Sequence, residues 1–523
     1  MPTTKTSVHD RRAVVVVLGD LARSPRMVNH VRLLVASKFA TDVVAYVATP
    51  LPADLQRDER IRVHACATAP SMPTACPRIL AYAVKAAAML VALAQSLLRV
   101  LLAKSPPIDV VIVQVPPSIP TLLMCLLLRA ATRAALVIDW HNFGHTIMAA
   151  RVAAKHAEAQ PEVDRATAFR HALEGHALRS PVVRLARAHD VALGRFADGH
   201  MCVTRSLRDE LGTPGWFHWT EKSTPLTAIV LDRPSETFVC GEKDEDVPAQ
   251  LTCMPAKRTS PIAAALRGDA DDAADSSDWL AACYSCGDAP FTTADGKSWK
   301  GADRGALVVT ATSWTVDEDL GMLLDAAERY ARHREDPKAS LPRIAVVVTG
   351  KGELRAAFHA TLVRIRQRMP TFGDHVAVRT PFLESYDDYA RLVSLADVGI
   401  SLHVSSSGLD LPMKAVDMLG CGVPVLALGY ATLENEMISA GRNGLLFSNA
   451  KELMACLTKI FAGSFPWTTA GKLRYGTSAL LPKLRNGARE WAQGSWADEW
   501  NANALPLLMS AMKRRRRHVG AID

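Results

Sequence analysis

Ten short apolar runs, five in each half of the chain, alternate with stretches of helical periodicity, and this alternation restricts the fold to a parallel α/β architecture. The runs lie at 13–18, 42–47, 109–114, 135–139 and 199–204, then at 307–311, 344–349, 376–380, 398–402 and 423–426. Helical patterns fill the gaps, most clearly at 25–38 and 182–196. Parallel strands need long crossovers, and repeated strand–helix units wind into a sheet covered on both faces. A chain of 523 residues exceeds what one core serves, so two such domains are expected. The first spans 1–234 and the second 305–487. Between them 235–304, rich in Asp, Ala and Ser, is expected to be a polar, partly disordered insertion. A Trp-bearing helix over 488–512 is expected to cross back onto the first domain, leaving 513–523 as a basic tail.

Apolar residues at 49% and charged residues at 22% describe a globular protein. The formal net charge of +8 points to an anionic partner, whether nucleic acid, a phosphate-bearing substrate or anionic lipid. Without a nucleic-acid module or basic–aromatic interleaving, nucleic acid is set aside. The ten cysteines are scattered, several in apolar runs, which suits reduced thiols on the cytosolic side. Cys240, Cys253, Cys283 and Cys286 include one CxxC pair, but the other two lack paired spacing, so an unliganded loop is expected and no metal site.

No secretory signal precedes the first strand. The segment 79–103, ILAYAVKAAAMLVALAQSLLRVLLA, has too short an uncharged core to span a bilayer, so it reads as an interfacial helix or a buried core helix. The apolar stretch 120–128 would broaden the same surface, and the basic run 513–517 would add attraction to anionic headgroups.

In open α/β sheets ligands bind beyond the carboxyl ends of strands, so the loops there carry the chemistry. The first strand ends in Gly19 and Asp20, then Arg23, Ser24, Pro25 and Arg26. Ser24 and Pro25 read as the cap and first residue of a helix, with Arg23 and Arg26 beside its positive end, an arrangement suited to pyrophosphate. There is no GxGxxG, which argues against a nicotinamide cofactor. Asp20 is a base or a loop cap. The fourth strand ends in Asp139, His141, Asn142 and His145, polar residues at an edge that more often serves a site than a core. In the second half, Asp317, Glu318 and Asp319 suit a helix dipole. Gly350, Lys351 and Gly352 form a turn able to place an ammonium and backbone N–H groups on a diphosphate, without the full Walker pattern. Ser405, Ser406, Ser407 and Gly408 make a hydroxyl-rich anion turn. Asp410 and Asp417, seven apart, are expected on one helical face with Lys414 between them, the acids for ribose and the lysine for phosphate.

Six segments together resemble the chitobiosyldiphosphodolichol β-mannosyltransferases, which add the first mannose of the N-glycan precursor. They are VVVLGDLARSPRM, VIDWHNFGHTIM, TATSWTVDEDLGMLLDA, VVTGKGELR, the long run from TPFLESYDDY through SSSGLDLPMKAVDMLGCGVPV, and RNGLLF. They occur in order across both halves, omitting chiefly 235–304. The resemblance implies a GT-B fold, two Rossmann-like domains facing an interdomain cleft. It implies transfer of mannose from GDP-mannose to GlcNAc2-PP-dolichol with inversion to a β1,4 linkage, at the cytosolic face of the endoplasmic reticulum. No tightly bound cofactor is expected and no divalent metal is required. Expected partners are the lipid-linked acceptor, the membrane surface, and sibling mannosyltransferases or a second copy.

An inverting transferase needs a base for the acceptor hydroxyl. Asp20 is the first choice and His141 the second. Donor contacts are expected from Gly19, Lys351, Gly352, Ser406, Ser407, Gly408, Asp410, Lys414 and Asp417. Arg23, Arg26, Asn142 and His145 are expected at the acceptor or a diphosphate. Two departures stand out. Family members often begin with a hydrophobic anchor, whereas polar residues precede the first strand here, so attachment is expected to be peripheral or monotopic through 79–103. Retaining GT-B enzymes often carry a basic pair where this chain has acids, which shifts diphosphate neutralisation to Lys351, Lys414, Arg23 and Arg26. The rival readings are a retaining mannosyltransferase of the same pathway and a non-catalytic scaffold.

Overall fold

The computed structural model describes residues 11–68, 78–103, 105–158, 165–220, 225–235, 238, 305–336, 338–463, 467–469, 472–474 and 480–520. Apart from Ser235 and Phe238, the insertion 235–304 and its four cysteines lie outside the described residues. The chain divides into two compact units. Met1–Ala149, His176–Asp232 and Trp496–Asp523 form the first, and Ala150–Gly175 and Arg233–Ser495 the second.

The first unit is built on seven parallel strands: β1 (Arg11–Asp20), β2 (Phe39–Tyr46), β3 (Ile61–Ala65), β4 (Val110–Val115), β5 (Ala135–Trp140), β6 (Gly199–Cys202) and β7 (Leu226–Ile229). Their order across the sheet is β3-β2-β1-β4-β5-β6-β7. Val14, Val15 and Val16 have no exposed surface, because a central parallel strand is covered on both faces and must be apolar throughout. The polarity that intrudes at the sheet edge is paired: Arg12 donates to Asp42 at 2.7 Å, and His64 lies 2.7 Å from the same carboxylate.

The C-terminal stretch completes this unit. The expected single helix over 488–512 is instead two pieces. Leu480–Ala492 belongs to the second unit, with Ala488 in its core. After Gly494 the chain resumes at Trp496, and Trp500, Leu508, Ala511 and Met512 join the core of β1, β4 and β5. The basic run continues the helix Leu505–Gly520, where Arg516 reaches Asp109 at 2.5 Å and Arg515 donates to the Arg133 carbonyl.

The second unit has six parallel strands: β8 (Ala306–Ala311), β9 (Ile344–Thr349), β10 (Val376–Arg379), β11 (Val398–Ser401), β12 (Val425–Leu428) and β13 (Gly444–Phe447), in the order β10-β9-β8-β11-β12-β13. Both sheets therefore reverse direction once, between β1 and β4 and between β8 and β11. At those points successive crossovers leave to opposite faces and open a crevice at the carboxyl edge. The turn after β9 shows how tightly that edge is knit. Gly350 has φ +148°, and a Cβ there would stand 1.8 Å from the Thr312 carbonyl oxygen.

Gly350→Ala is expected to destabilise the second unit by about 2–3 kcal/mol, since backbone conformation and contact both reject a side chain. Denaturant unfolding would check it. A variant with unchanged stability would mean that the loops after β8 and β9 separate freely.

Candidate functional site

At the switch point of the second sheet, the loops after β8 and β11 are hydrogen-bonded together. Val404 N–H donates to the Asp317 carbonyl at 2.8 Å, and Glu318 and His403 face each other across an isolated bridge. The three acids expected to serve one helix dipole divide their work. Asp319 caps the helix Leu320–Arg334, accepting from Met322 N–H at 2.9 Å, and pairs with Arg170 from the helix Arg165–Glu174. Glu318 is buried instead, accepting from the Thr312 hydroxyl at 2.6 Å and Ser313 N–H at 2.8 Å, and it pairs with Lys414. Asp317 stays partly exposed beside His403.

The turn after β11 is built on side chains. Gly408, at φ +72°, donates its N–H to Ser405 Oγ at 2.7 Å, and a Cβ there would meet nothing within 4 Å. Ser405 and Ser407 donate to the Asp410 carboxylate, and Ser406 lies in the same turn. The Tyr430 hydroxyl donates to the Asp410 carbonyl and the Thr432 hydroxyl to the Gly408 carbonyl, fixing the turn from the loop after β12. Burial alone would push the Asp410 carboxyl up, but His403, 3.4 Å away, holds it below the usual range. Burial likewise works against the charged His403, and Asp410, Asp317 and Glu318 override it and raise its pKa.

Asp410 and Asp417 do not share a helical face. The helix is Met413–Gly420, capped from Pro412, and Asp410 precedes it, because Pro412 disfavours helical backbone at Leu411 and the helix cannot extend back past it. Asp417 alone is helical and buried, and desolvation pushes its carboxyl up to about 8 against the pull of Lys414. The neighbouring turn keeps Lys351 exposed, its Nζ 3.7 Å from the centre of the Phe382 ring. Gly352 packs so closely that a Cβ would stand 2.1 Å from the Ser313 carbonyl.

The first unit presents a second constellation at its own switch point. Ser24 precedes the helix Pro25–Ala36 as expected, but its hydroxyl donates to Gln114 at the end of β4 instead of capping. Gly19 and Asp20 end β1. The Thr49 hydroxyl, donating at 2.6 Å, holds the Asp20 carboxyl below the usual range, and Arg23 is exposed 3.6 Å from it. Arg26 is not available to a diphosphate. It is 3% exposed, donates to both oxygens of Asp139 at 2.7 and 2.8 Å, and reaches Asp232 at 2.9 Å and the Val230 carbonyl at 2.7 Å. Its positive charge holds the Asp139 carboxyl far below the usual range despite complete burial.

His141, 23% exposed, has Nε2 3.7 Å from Asp139. Burial lowers its pKa against the attraction of Asp139. Asn142 is turned inward, its side-chain oxygen accepting from Phe143 N–H at 2.7 Å and the Thr146 hydroxyl at 3.3 Å. His145 is buried against Phe143 and Trp216, and burial pulls its pKa down to about 4. Glu318 and His403 were not among the residues that the sequence marks for the site. The one signal for Glu318 is its place in an acidic run that one helix end cannot use whole. Among the described residues no cluster of His, Cys, Asp and Glu is arranged to hold a metal ion.

Solved structures share this two-sheet architecture. A UDP-forming trehalose-phosphate synthase from Burkholderia xenovorans superposes with a TM-score of 0.54 at 11% identity, over 96% of this chain and 99% of its own. A glycosyltransferase from Rickettsia africae gives 0.50 at 10%, over 97% and 98%. The fold is therefore that of the GT-B class, two parallel-sheet α/β domains. No protein-family model matches the chain. Chitobiosyldiphosphodolichol beta-mannosyltransferases match it at 32% identity from Mus musculus, over 97% of this chain and 91% of theirs, and from Homo sapiens, over 95% and 93%. A protein of Arabidopsis thaliana named UDP-glycosyltransferase TURAN is 33% identical over 96% and 98%. The chain belongs to the chitobiosyldiphosphodolichol beta-mannosyltransferase family.

Asp417 gives the second unit a pH dependence. Above pH 3.8 the unfolded chain releases a proton that the folded chain keeps until about pH 8. The carboxyl thus favours the fold at low pH and ceases to as pH rises through 8. Asp417→Asn is expected to gain about 4 kcal/mol on the native chain between pH 5 and pH 9. Chemical denaturation at the two values would check this, and a constant gap would rule it out.

Proposed function

We propose that this chain moves mannose from GDP-mannose to the distal GlcNAc of GlcNAc2-PP-dolichol, inverting the anomeric centre. The observation that carries the reading is the near-full-length relation to mannosyltransferases of that name.

The second unit holds the donor in this reading. Asp417 meets the ribose, with Asp410 holding the Ser406–Ser407–Gly408 turn in shape beside it. Lys414, Lys351 and Gly352 face the diphosphate. In the first unit, Gly19 and Arg23 are the groups suited to a phosphate. The Glu318 carboxylate aims the Lys414 ammonium, and charge placed in advance stabilises a leaving diphosphate without reorganisation. No step calls on a bound metal.

Of the two base candidates, His141 is the stronger. Asp20 is already hydrogen-bonded to Thr49 and held acidic, which makes it a weak proton acceptor. His141 is neutral in its surroundings and partly open to solvent. The acceptor O4 proton passes to His141 as O4 bonds to the anomeric carbon, and the bond to the β-phosphate breaks with its electrons leaving on GDP. Arg26 holds the Asp139 loop and touches no substrate. Asn142 and His145 shape the acceptor side from behind.

The membrane reading rests on the first unit. Val84–Leu102, within the helix Arg78–Leu102, is long and apolar enough to cross a membrane by length and composition, with Lys85 and Arg99 inside it. Leu93, Leu97 and Val100 are buried, however, and the helix packs on β3 and on the helix Thr121–Thr132. Its outer face is apolar too, with Leu98 52% and Leu102 74% exposed. Leu127 on the next helix is 56% exposed and Leu185 on Pro181–Gly194 69%, and the three helices pack in a row. A patch this broad suits the interface plane of a bilayer. The five free thiols among the described residues suit its cytosolic side.

The test is transfer by the purified protein from GDP-mannose to a phytanyl- or dolichyl-PP-GlcNAc2 acceptor. A product sensitive to β-mannosidase is expected, and donor binding without product would overturn the acceptor assignment. His141→Ala is expected to lose about 100-fold or more in kcat and Asp20→Asn about tenfold or less; the reverse order would restore Asp20 as the base. Leu98→Glu with Leu127→Glu and Leu185→Glu is expected to lose most co-flotation with anionic vesicles. Undiminished flotation would dismiss this face as the membrane contact.

A further inference from the structure

Behind His141 lies a chain of buried polar contacts that ends in residues made more than 350 positions later. Asp139 Oδ2 is its hub. It accepts from Arg26 Nε at 2.8 Å, and it has His30 Nε2 at 3.3 Å and His141 Nε2 at 3.7 Å. The other ring nitrogen of His30, Nδ1, accepts from the Trp500 indole N–H at 2.9 Å. His30 and Trp500 have no exposed surface. Trp496, one turn earlier, carries Arg26 on its ring face at 5.1 Å and meets the His30 ring edge-on at 5.4 Å.

An indole N–H can only donate. His30 must therefore present a bare Nδ1 to Trp500 and carry its single proton on Nε2, toward Asp139. That N–H completes no hydrogen bond, but at 3.3 Å it turns the favourable end of the imidazole toward the carboxylate. The opposite tautomer would aim a lone pair at Asp139 Oδ2 and repel the carboxylate that Arg26 holds in place. His141 Nε2 stands 3.7 Å from the same ionised carboxylate without a hydrogen-bond partner, so the charge there favours a proton on Nε2 and leaves Nδ1 as the acceptor atom. The charged and titratable groups facing His141 are Asp139 from β5, Arg26 and His30 from the helix after β1, and Asp232 beyond β7.

We propose that Trp500 is a positioning residue for His141, acting through the proton it fixes on His30 and through Asp139. The inference rests on the reading of His141 as the base, but the tautomer chain stands on geometry alone.

Trp500→Phe keeps an aromatic ring and removes the N–H. Imidazole nitrogen NMR on the full chain would follow the His30 tautomer and the His141 titration, with steady-state transfer measured beside it. His30 is expected to populate its other tautomer, and the His141 midpoint to move by roughly half a pH unit or more. A roughly tenfold fall in kcat is expected, with the donor KM within about twofold and the acid limb of the rate profile moving with the midpoint. An unchanged His141 midpoint overturns the proposal, whatever the activity. Should the native protein not transfer mannose, the functional reading fails while the NMR result still decides this one. Because Trp500 is buried, a second pair guards against misfolding. His30→Gln, whose amide can accept from Trp500 and donate to Asp139, is expected to stay near native. His30→Leu is expected to reproduce the Trp500→Phe shift, and equal behaviour of the pair would also overturn the proposal.

Discussion

Parallel pairing is the constraint on which the rest of the structure depends. A parallel strand cannot return by a tight turn, so every connection becomes a crossover and every loop that follows a strand gathers at one edge of the sheet. In each unit the order reverses once, and the reversal separates the loops on either side. The polar residues singled out in the sequence, from Gly19 to His145 and from Asp317 to Asp417, fall on the last residues of the strands, on the loops at those edges or on the helices that follow them. The middles of the strands, buried on both faces, have no room for chemistry.

Charge at these edges serves two purposes, and burial separates them. Arg26 is closed in by two carboxylates and a carbonyl, and removing one partner of such a buried pair costs about 3–5 kcal/mol. Its work is to tie the helix Pro25–Ala36 to β5 and to the chain beyond β7. Lys414, with its side chain 30% exposed over a buried Glu318, is anchored at one end and open at the other. Arg23, with 80% of its side chain exposed, is held only loosely, and an exposed ion pair of that kind contributes little to stability. A phosphate can recruit the second and third of these without dismantling the core.

The two-sheet architecture was legible in the sequence because apolar runs of four to six residues, spaced by helical periodicity, fit a wound parallel sheet and little else. β3, β7 and β13 were not. β3 and β7 are short and only partly buried, so they lack the continuous apolar signal of the central strands. The loops were legible as positions and their partners were not. Glu318 and Lys414 stand 96 residues apart, and Arg26 finds Asp232 206 residues away. Residue type announces that such groups need a counter-charge, but only the fold says which one. The same limit applies to the helix expected over 488–512, where apolar spacing runs on across Gly494 although the chain there passes from one unit to the other.

That passage has a consequence for how the protein is made. Residues 496–520 supply part of the core beneath β1, β4 and β5, yet a ribosome delivers them only after the entire second unit has emerged. The first unit, although begun first, must wait with an apolar flank uncovered while the second is synthesised and folds. Vectorial folding in order of synthesis, the usual course for a chain of two domains, is thereby inverted at the last step. The nascent chain needs that flank shielded in the interval, and a premature stop just after Ser495 would leave the second unit whole and the first permanently open.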